Sequence, residues 1–547
     1  MAVVIVNDKP VDIGTERLNL IQAAQRGGVT IPSYCWHPAL SVVASCRMCL
    51  VEVGDKKPDG TVAMQPKVVP GCQTPAKDGT VIITNSPKAK HAQQQTLESL
   101  LLNHPLDCPV CDKAGECLLQ DYSFGFGRST SRMIDDKNHP PNKDYIGAHI
   151  TLFADRCIMC SRCVRFTREI SGTAELQVIS RGHHSEIDIF PGEPLDNKLS
   201  GNVVDLCPVG ALCSKDFLYK QRVWFLKDQM SVCPECSTGC SITVDSNKDI
   251  VYRLRPRENP QAQGHFMCDE GRFDYPYINA RERIRGPLYR SGEIQSPASW
   301  EKIIPTLRHD LAEAARRDGA GVAAVLSPYL TCEEAYLLAK FIKGLAKEAR
   351  LYLGWVPIQG EDDTYPKDRK GKPIHPVKFT IHAEKCPNRR GVEEVLKHFH
   401  GAVLYFDQAI EQAAAGKLQA LYLTGGYPPR LGTWLPMPVL ASLQKVPTLV
   451  VQDLIPSAAS AAAKYVLPAA SFAEKDGCFV NHANLAQAIH WAVRPSGLGR
   501  TEGQVFLDLL ERRGLLHAET LRQELAAEVP FFEALKDGYL GNHGVRL

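Results

Sequence analysis

Nineteen cysteines occur in the 547 residues, and sixteen of them fall within the first 268. Thiols that crowd together in sequence either pair as disulfides or hold metal, and the two outcomes need different compartments. The opening MAVVIVNDKP lacks the layout of a secretion signal, so the reading here is metal ligation. Four groups stand out. Cys35, Cys46, Cys49 and Cys72 follow C-x10-C-x2-C-x22-C; four thiolates can hold a [2Fe–2S] centre, two on each iron, and the same spacing can serve structural zinc. In HPLDCPVCDKAGEC, His104 leads Cys108, Cys111 and Cys117, a donor set that suits zinc or an iron–sulfur cube, unless the histidine only ends a helix. Cys157, Cys160 and Cys163 lie in RCIMCSRCVR, and SVCPECSTGC supplies Cys233, Cys236 and Cys240, closed by Cys268 in FMCDEG.

The third group carries the most specific pattern. C-x2-C-x2-C with a remote cysteine before proline is the run of bacterial ferredoxins, and Cys207-Pro208 provides that fourth ligand. Cys157, Cys160, Cys163 and Cys207 therefore most simply hold one [4Fe–4S] cube. Cys213 is surplus and reads as a small buried hydrophobe. The fourth group, C-x2-C-x3-C-x27-C, again fits a cube, with zinc as the other reading.

These ligands need elements to position them. VVIVNDKPVDIG alternates apolar residues about an Asn-Asp turn, and Leu18, Leu20, Ile21 and Ala24 then take helical spacing, which suits a small β-grasp domain whose loop supplies the first group. ITVDSNKDIVYRL suggests strands around the fourth group. Beyond residue 286, VAAVLSPYLTCEEAYLLAKFI, LQALYLTGG, TLVVQDL and KYVLPAASFAEKDGCFVN alternate short apolar runs with helical patterns, as expected of an α/β domain with a parallel sheet. GAGVAA at 319–324 matches a dinucleotide turn in letters, but LAEAARRD reads as a helix running into Gly319 as its C-cap, with the strand coming after, the reverse of the required order. LTGGYPPR at 423–430 reads as a strand-end turn. Composition excludes other classes: 63 basic against 61 acidic side chains give no nucleic-acid footprint or polybasic anchor, and no 18-residue apolar run suggests a membrane span. The expectation is a cytoplasmic chain, held at a membrane only through partners.

Four groups in this order, with these spacings and a histidine in the second, resemble the large iron–sulfur subunit of bacterial respiratory complex I (NADH:quinone oxidoreductase), the 75 kDa subunit family. The resemblance covers about residues 1–285. It implies an α+β multi-domain chain: a β-grasp [2Fe–2S] ferredoxin domain over 1–84, a helical domain over 85–225, a molybdopterin-oxidoreductase-type [4Fe–4S] domain over 226–285 and a degenerate, shortened molybdopterin-oxidoreductase-like α/β domain over 286–547. It implies one [2Fe–2S] cluster on Cys35, Cys46, Cys49 and Cys72, and three [4Fe–4S] clusters: on His104 with Cys108, Cys111 and Cys117; on Cys157, Cys160, Cys163 and Cys207; and on Cys233, Cys236, Cys240 and Cys268. A neutral imidazole among anionic thiolates alters a cluster's charge and so its potential.

The resemblance further implies partners and a route. An FMN-bearing, NADH-oxidising subunit would pass electrons to the binuclear centre, thence to the Cys157 cube, the His104 cube and a ferredoxin-like two-cluster subunit nearer the quinone, with the Cys233 group off this line. The chain would be a peripheral member of a hetero-oligomer on the cytoplasmic side of the inner membrane, with no catalytic site of its own. No molybdopterin is expected, because the family's N-x-E-G-R-x-Q pattern survives only as Asn481 and Gln487 in NHANLAQ, and LYLGWVPIQGEDD after the SPYLTCEEAYLLAKF helix offers no cysteine. Cys332 reads as structural, and Cys386 has no assignment. The alternative function is an iron–sulfur subunit of a soluble NAD-linked hydrogenase or a formate dehydrogenase complex.

Overall fold

Asn7 and Asp8 both take positive φ, 45° and 67°, as a two-residue turn between right-twisted strands requires. They close the hairpin of Ala2–Val6 with Lys9–Gly14, whose register pairs Val6 with Lys9. Ala2–Val6 then pairs in parallel with Thr80–Ile83, and the sheet continues to Leu50–Lys56 and Val62–Met64. The helix Leu20–Arg26 starts at a capping box between Asn19 and Gln22. It buries Leu20, Ile21, Ala23 and Ala24 in one core with Val4, Val6, Ile13, Val51, Val53 and Ile82. This is the β-grasp arrangement expected from the alternation.

The chain is seen here as a computed structural model that describes residues 2–368 and 370–547. It divides into two units: Met1–Phe225 with Tyr365–Lys378, and Leu226–Thr364 with Phe379–Leu547. In the first unit, the segment after the β-grasp sheet carries the α-helices Pro87–Leu101, Leu118–Phe126, Arg162–Phe166 and Asn202–Leu206, together with two two-stranded ribbons. Most of the intervening backbone is irregular, because it wraps ligand loops rather than a sheet. The excursion Tyr365–Lys378 completes this unit: Lys367 N–H donates to the Ser171 carbonyl at 3.0 Å. A Cβ on the adjoining Gly172 would meet the Lys367 carbonyl oxygen at 2.1 Å, and its φ is +79°, so only glycine fits there.

In the second unit, a three-stranded antiparallel sheet (Lys227–Val232, Ser241–Asn247, Ile250–Pro256) presents the fourth cysteine group. An eight-stranded sheet follows. Its six parallel strands are Val322–Leu326, Arg350–Leu353, Leu404–Tyr405, Ala420–Thr424, Thr448–Asp453 and Tyr465–Pro468, lying in the spatial order third, second, first, fourth, fifth, sixth. That is the doubly wound order, whose switch point lies between the first and fourth strands. Helices such as Trp300–Arg317 and Cys332–Leu345 pack on it and bury Leu307, Leu311, Tyr336 and Phe341.

One expectation is corrected. The helix before GAGVAA ends at Arg317, and Asp318, not Gly319, follows it; Gly319–Gly321 is a short 3-10 turn whose start is capped by the Asp318 side chain accepting from Ala320 N–H. Asp318 stops the helix because its carboxylate offers the next turn a local acceptor. The order remains helix, turn, strand, and no helix N-terminus faces a phosphate there.

Candidate functional site

The first group is placed by the β-grasp core. Asn19, the cap of the helix, also donates from Nδ2 to the Cys72 carbonyl at 3.1 Å, and Gly71 N–H donates to the Cys49 carbonyl at 2.9 Å. Cys35, Cys49 and Cys72 are buried and Cys46 is partly so. The four thiols touch: Cys35 hydrogen-bonds to Cys46 and Cys72, and Cys49 to Cys72. Those bonds pull the pKa values of Cys35 and Cys49 down and push those of Cys46 and Cys72 up.

Ala44 and Arg47 in the first loop, Gly115 in the second, Met159 and Ser161 in the third and Gly239 in the fourth all have positive φ. Left-handed residues among right-handed ones turn successive N–H groups inward, the geometry of an anion-binding concavity. Accordingly Cys35 N–H points at Cys46 Sγ (3.5 Å), Met159 N–H at Cys157 Sγ (3.4 Å) and Gly271 N–H at Cys268 Sγ (3.4 Å).

His104 follows the helix Pro87–Leu101, and Cys117 caps Leu118–Phe126. His104, Cys108 and Cys117 line one cavity of about 650 Å³. Cys111 stands outside that lining, where a Cβ on Gly210 would meet its sulfur at 2.2 Å. His104 Nδ1 is buried without a partner, and burial holds the ring's pKa below its ordinary value. A buried, neutral, unpartnered imidazole nitrogen beside two thiols is what a metal ligand requires.

Cys157, Cys160, Cys163 and Cys207 line one small cavity with Ile158, Ile187 and Leu212. Cys163 lies on the helix Arg162–Phe166, and Cys207 follows Asn202–Leu206 as its cap. Burial pushes the Cys160 thiol up to about 11 and Cys157 to about 12, as it pushes Cys117 in the second group to about 11. Such thiols are neutral at neutral pH, so their thiolate forms need the positive charge of bound iron. In the fourth group all four cysteines are buried. A Cβ on Gly271 would lie 2.7 Å from Cys233 Sγ and 3.6 Å from Cys268 Sγ, and Cys233 N–H donates to the Cys240 carbonyl at 2.9 Å. Thiol and imidazole donors of this kind suit iron–sulfur centres. Among the described residues no three His, Cys, Asp or Glu side chains stand close enough to share a single metal ion; a polynuclear centre, with ligands on separate corners, makes no such demand.

Sequence reasoning missed the groups between the centres. One buried guanidinium, Arg165, donates to the carbonyls of both Cys35 and Cys160, and Arg162 donates to those of Trp36 (2.5 Å) and Leu206 (3.2 Å). The first and third groups therefore adjoin. Arg156 and Asp107, next to Cys157 and Cys108 in sequence, form an ion pair at 2.5 Å, and Leu118 N–H donates to the Pro208 carbonyl at 3.0 Å, so the third and second groups adjoin too. Tyr34, fully buried, feels both Cys117 and Cys46, a further link between the second and first. The arginines inside RCIMCSRCVR were the available signal; their distant carbonyl partners were not. Cys213 is buried on the strand Leu212–Ser214. Cys332 is the first residue of its helix, and Cys332 and Cys386 are fully buried.

At the switch point of the second unit, where doubly wound sheets take ligands, four of the chain's own rings come together. Tyr427 stacks against Tyr329, Trp355 and Trp434 with centroids 5.1, 5.7 and 4.6 Å away. Its hydroxyl donates to the Trp355 carbonyl at 2.8 Å. LTGGYPPR is thus a strand-end turn, as read.

Comparison with known proteins follows this division. Family models match in chain order: a 2Fe-2S iron-sulfur cluster binding domain (4–87), the NADH-ubiquinone oxidoreductase-G iron-sulfur binding region (93–132), the NADH-quinone oxidoreductase subunit 3 ferredoxin-like domain (147–213), the molybdopterin oxidoreductase Fe4S4 domain (226–280) and molybdopterin oxidoreductase (403–512). The NADH-quinone oxidoreductase G subunit of Rickettsia felis is 35% identical over 60% of this chain and 47% of its own length. A G subunit of the same enzyme from Rhizobium meliloti is 37% identical over 59% and 37%. The mitochondrial NADH dehydrogenase [ubiquinone] iron-sulfur protein 1 of Solanum tuberosum is 38% identical over 59% and 42%. The chain thus spans less than half the length of these relatives. A crystal structure of NAD+-reducing [NiFe]-hydrogenase in the H2-reduced state aligns over 41% of this chain and 91% of that one, at 25% identity and a TM-score of 0.35. The chain is therefore mixed α/β, with a 2Fe–2S domain, 4Fe–4S regions and a molybdopterin-oxidoreductase-type domain, and the resemblance to the large iron–sulfur subunit of complex I stands.

Proposed function

We propose that this chain is an electron-transfer iron–sulfur subunit of an NADH:quinone oxidoreductase, working between an FMN-bearing, NADH-oxidising subunit and a ferredoxin-like two-cluster subunit, with no catalytic site of its own. When bound, iron–sulfur clusters would supply one-electron transfer. The chain's residues hold, space and tune them: Cys35, Cys46, Cys49 and Cys72 for a [2Fe–2S] centre; His104, Cys108, Cys111 and Cys117, then Cys157, Cys160, Cys163 and Cys207, then Cys233, Cys236, Cys240 and Cys268 for three [4Fe–4S] centres. The division into 1–84, 85–225, 226–285 and 286–547 belongs to the same reading.

The observation that carries the proposal is the adjacency of the first, third and second groups through Arg165 and the Arg156–Asp107 pair. Buried cations beside ligand carbonyls favour the added electron of a reduced centre, and short peptide links fix the separations. The aromatic cluster at the switch point supports the further reading that no molybdopterin is held. No helix among the described residues is long and apolar enough to cross a membrane, which is compatible with a peripheral place on the cytoplasmic face of an inner membrane through partner subunits.

The test is purification of the assembled complex, with iron and sulfide analysis, paramagnetic resonance after NADH reduction, and parallel assays with quinone and with an artificial acceptor at the flavin. NADH-dependent quinone reduction, with one binuclear and several cubane signals assigned to this chain by ligand substitution, is expected. Hydrogen- or formate-dependent NAD reduction by the purified assembly would replace the proposal with its alternative.

A further inference from the structure

The two survivors of N-x-E-G-R-x-Q do not face an empty cradle; both grip the fourth cysteine loop from outside. Gln487 donates from Nε2 to the Gly239 carbonyl at 2.7 Å and accepts at Oε1 from Ser241 Oγ (2.6 Å) and Asn259 Nδ2 (3.0 Å). Asn481 donates from Nδ2 to the Thr238 carbonyl at 3.0 Å, while its Oδ1 accepts from Ala483 and Leu485 N–H, each at 3.0 Å. His482 N–H donates to the Ser237 carbonyl at 3.0 Å. Three successive carbonyls of the loop between Cys236 and Cys240 are thus drawn to one turn of chain. Asn481 and Gln487 are 2% and 3% exposed, so solvent does not compete for these bonds.

A trans peptide points its C=O and N–H to opposite sides. With the Gly239 carbonyl held by Gln487, the N–H of Cys240, in the same peptide, points the opposite way, away from Gln487. The approach is close enough to exclude any side chain at the pivot: Gly239 has φ +64°, and a Cβ there would meet Asn481 Cβ at 2.9 Å and Gln487 Nε2 at 3.4 Å. In the same turn Asn484, which stands at the glycine position of the pattern, takes φ 60°, a conformation asparagine tolerates.

We infer that Asn481 and Gln487 are positioning residues of the fourth group: they orient the peptide planes between Cys236 and Cys240, and so aim the Cys240 N–H toward the sulfurs of the centre held there and tune it. This rests on the reading that Cys233, Cys236, Cys240 and Cys268 hold a [4Fe–4S] cluster. An N–H aimed at a ligand sulfur stabilises the reduced, more negative cluster and raises its potential.

The experiment uses the assembled complex carrying Gln487→Met, which removes the donor at nearly constant volume, or Asn481→Ser, which keeps an acceptor for its own turn but cannot reach Thr238. Redox titration followed by paramagnetic resonance is expected to show the fourth cluster's signal at a more negative midpoint potential in Gln487→Met, with altered line shape in both variants and the other three clusters unmoved. An unchanged signal and potential in both would overturn the inference, as would outright loss of the cluster in both, which would reduce the pair to a merely structural role. The underlying reading fails separately: a wild-type complex in which Cys236→Ser removes no iron and no spectral component holds no cluster at this group at all.

Discussion

His104 is the residue at which the metal reading can be separated most sharply from a structural one. Its Nδ1 is buried and unpartnered, and it shares a cavity with Cys108 and Cys117. A histidine that only ended a helix would leave that nitrogen unsatisfied at a cost of about 1–3 kcal/mol. As a ligand it presents a neutral nitrogen to iron, whereas His104→Cys presents an anionic thiolate. That variant is expected to keep its cluster but at a more negative potential. His104→Ala should leave an open iron site prone to cluster loss. Both should slow NADH-to-quinone turnover while sparing NADH reduction of an artificial acceptor at the flavin. Identical paramagnetic spectra in wild type and both variants would strike His104 from the ligands. The same reasoning gives Arg165 weight at this scale: one guanidinium bonds a ligand carbonyl in each of two groups, so Arg165→Met is expected to perturb both the Cys35 and Cys157 signals, and a change confined to one would limit its role to that group.

Among the elements, the seven-residue helix Leu20–Arg26 does more than cover its sheet. Its cap, Asn19, satisfies the Gln22 N–H and also donates to the Cys72 carbonyl. Asn19→Ala should therefore cost about 1 kcal/mol of stability and speed release of the binuclear iron to a chelator. Lower stability with an unaltered release rate would separate the cap from the ligand loop. That helix and its hairpin were legible because their signals are local: an Asn-Asp turn and apolar residues at helical spacing. The cysteine groups were legible for the same reason, since C-x2-C spacing survives without any knowledge of the fold. The cap of the helix before Gly319 was misplaced because Asp318 competes with glycine as a terminator. Long-range partners were not legible at all. Gln487 lies 248 positions from Gly239, and nothing in NHANLAQ names the carbonyl it will hold. The ring cluster of Tyr329, Trp355, Tyr427 and Trp434 is likewise scattered along the chain and brought together only by the strand order. Tyr427 is 4% exposed, so Tyr427→Ala should cost about 3–5 kcal/mol, read as a lower first unfolding temperature, and should open the crevice without admitting molybdenum. Stoichiometric molybdenum in the wild-type complex, assigned to this chain, would instead show that the pattern's loss had been misjudged.

Taken as a whole molecule, the chain distributes its cysteine groups unequally. Met1–Phe225 with Tyr365–Lys378 contains the first three groups, joined by Arg165, Arg162 and the Arg156–Asp107 pair. Leu226–Thr364 with Phe379–Leu547 contains the fourth alone. Within that second unit the fourth group sits among polar anchors from two separate stretches: Thr238 Oγ1 donates to the Thr380 carbonyl (2.9 Å) and Ser237 N–H to the Glu384 carbonyl (2.9 Å), while Asn481 and Gln487 bond the Thr238 and Gly239 carbonyls. The loop between Cys236 and Cys240 thus ties the N-terminal strands of the unit to the segments 380–384 and 481–487, and a centre bound there would have a structural task whether or not it carried current. Cys236→Ala removes a ligand from the middle of that network. It leaves three thiols that burial or coupling pushes toward the neutral form, Cys233, Cys240 and Cys268, so the expected outcome is loss of one cubane signal, weaker protection of residues 226–285 from hydrogen exchange, and a lower unfolding temperature for the second unit. The first unit keeps its ligands and its arginine links, so complex that assembles should retain most of its NADH-to-quinone turnover. Turnover measured per assembled complex, with the three remaining signals counted in the same sample, checks this. A variant that assembled with those three signals intact and yet lost turnover would place the fourth group on the electron path.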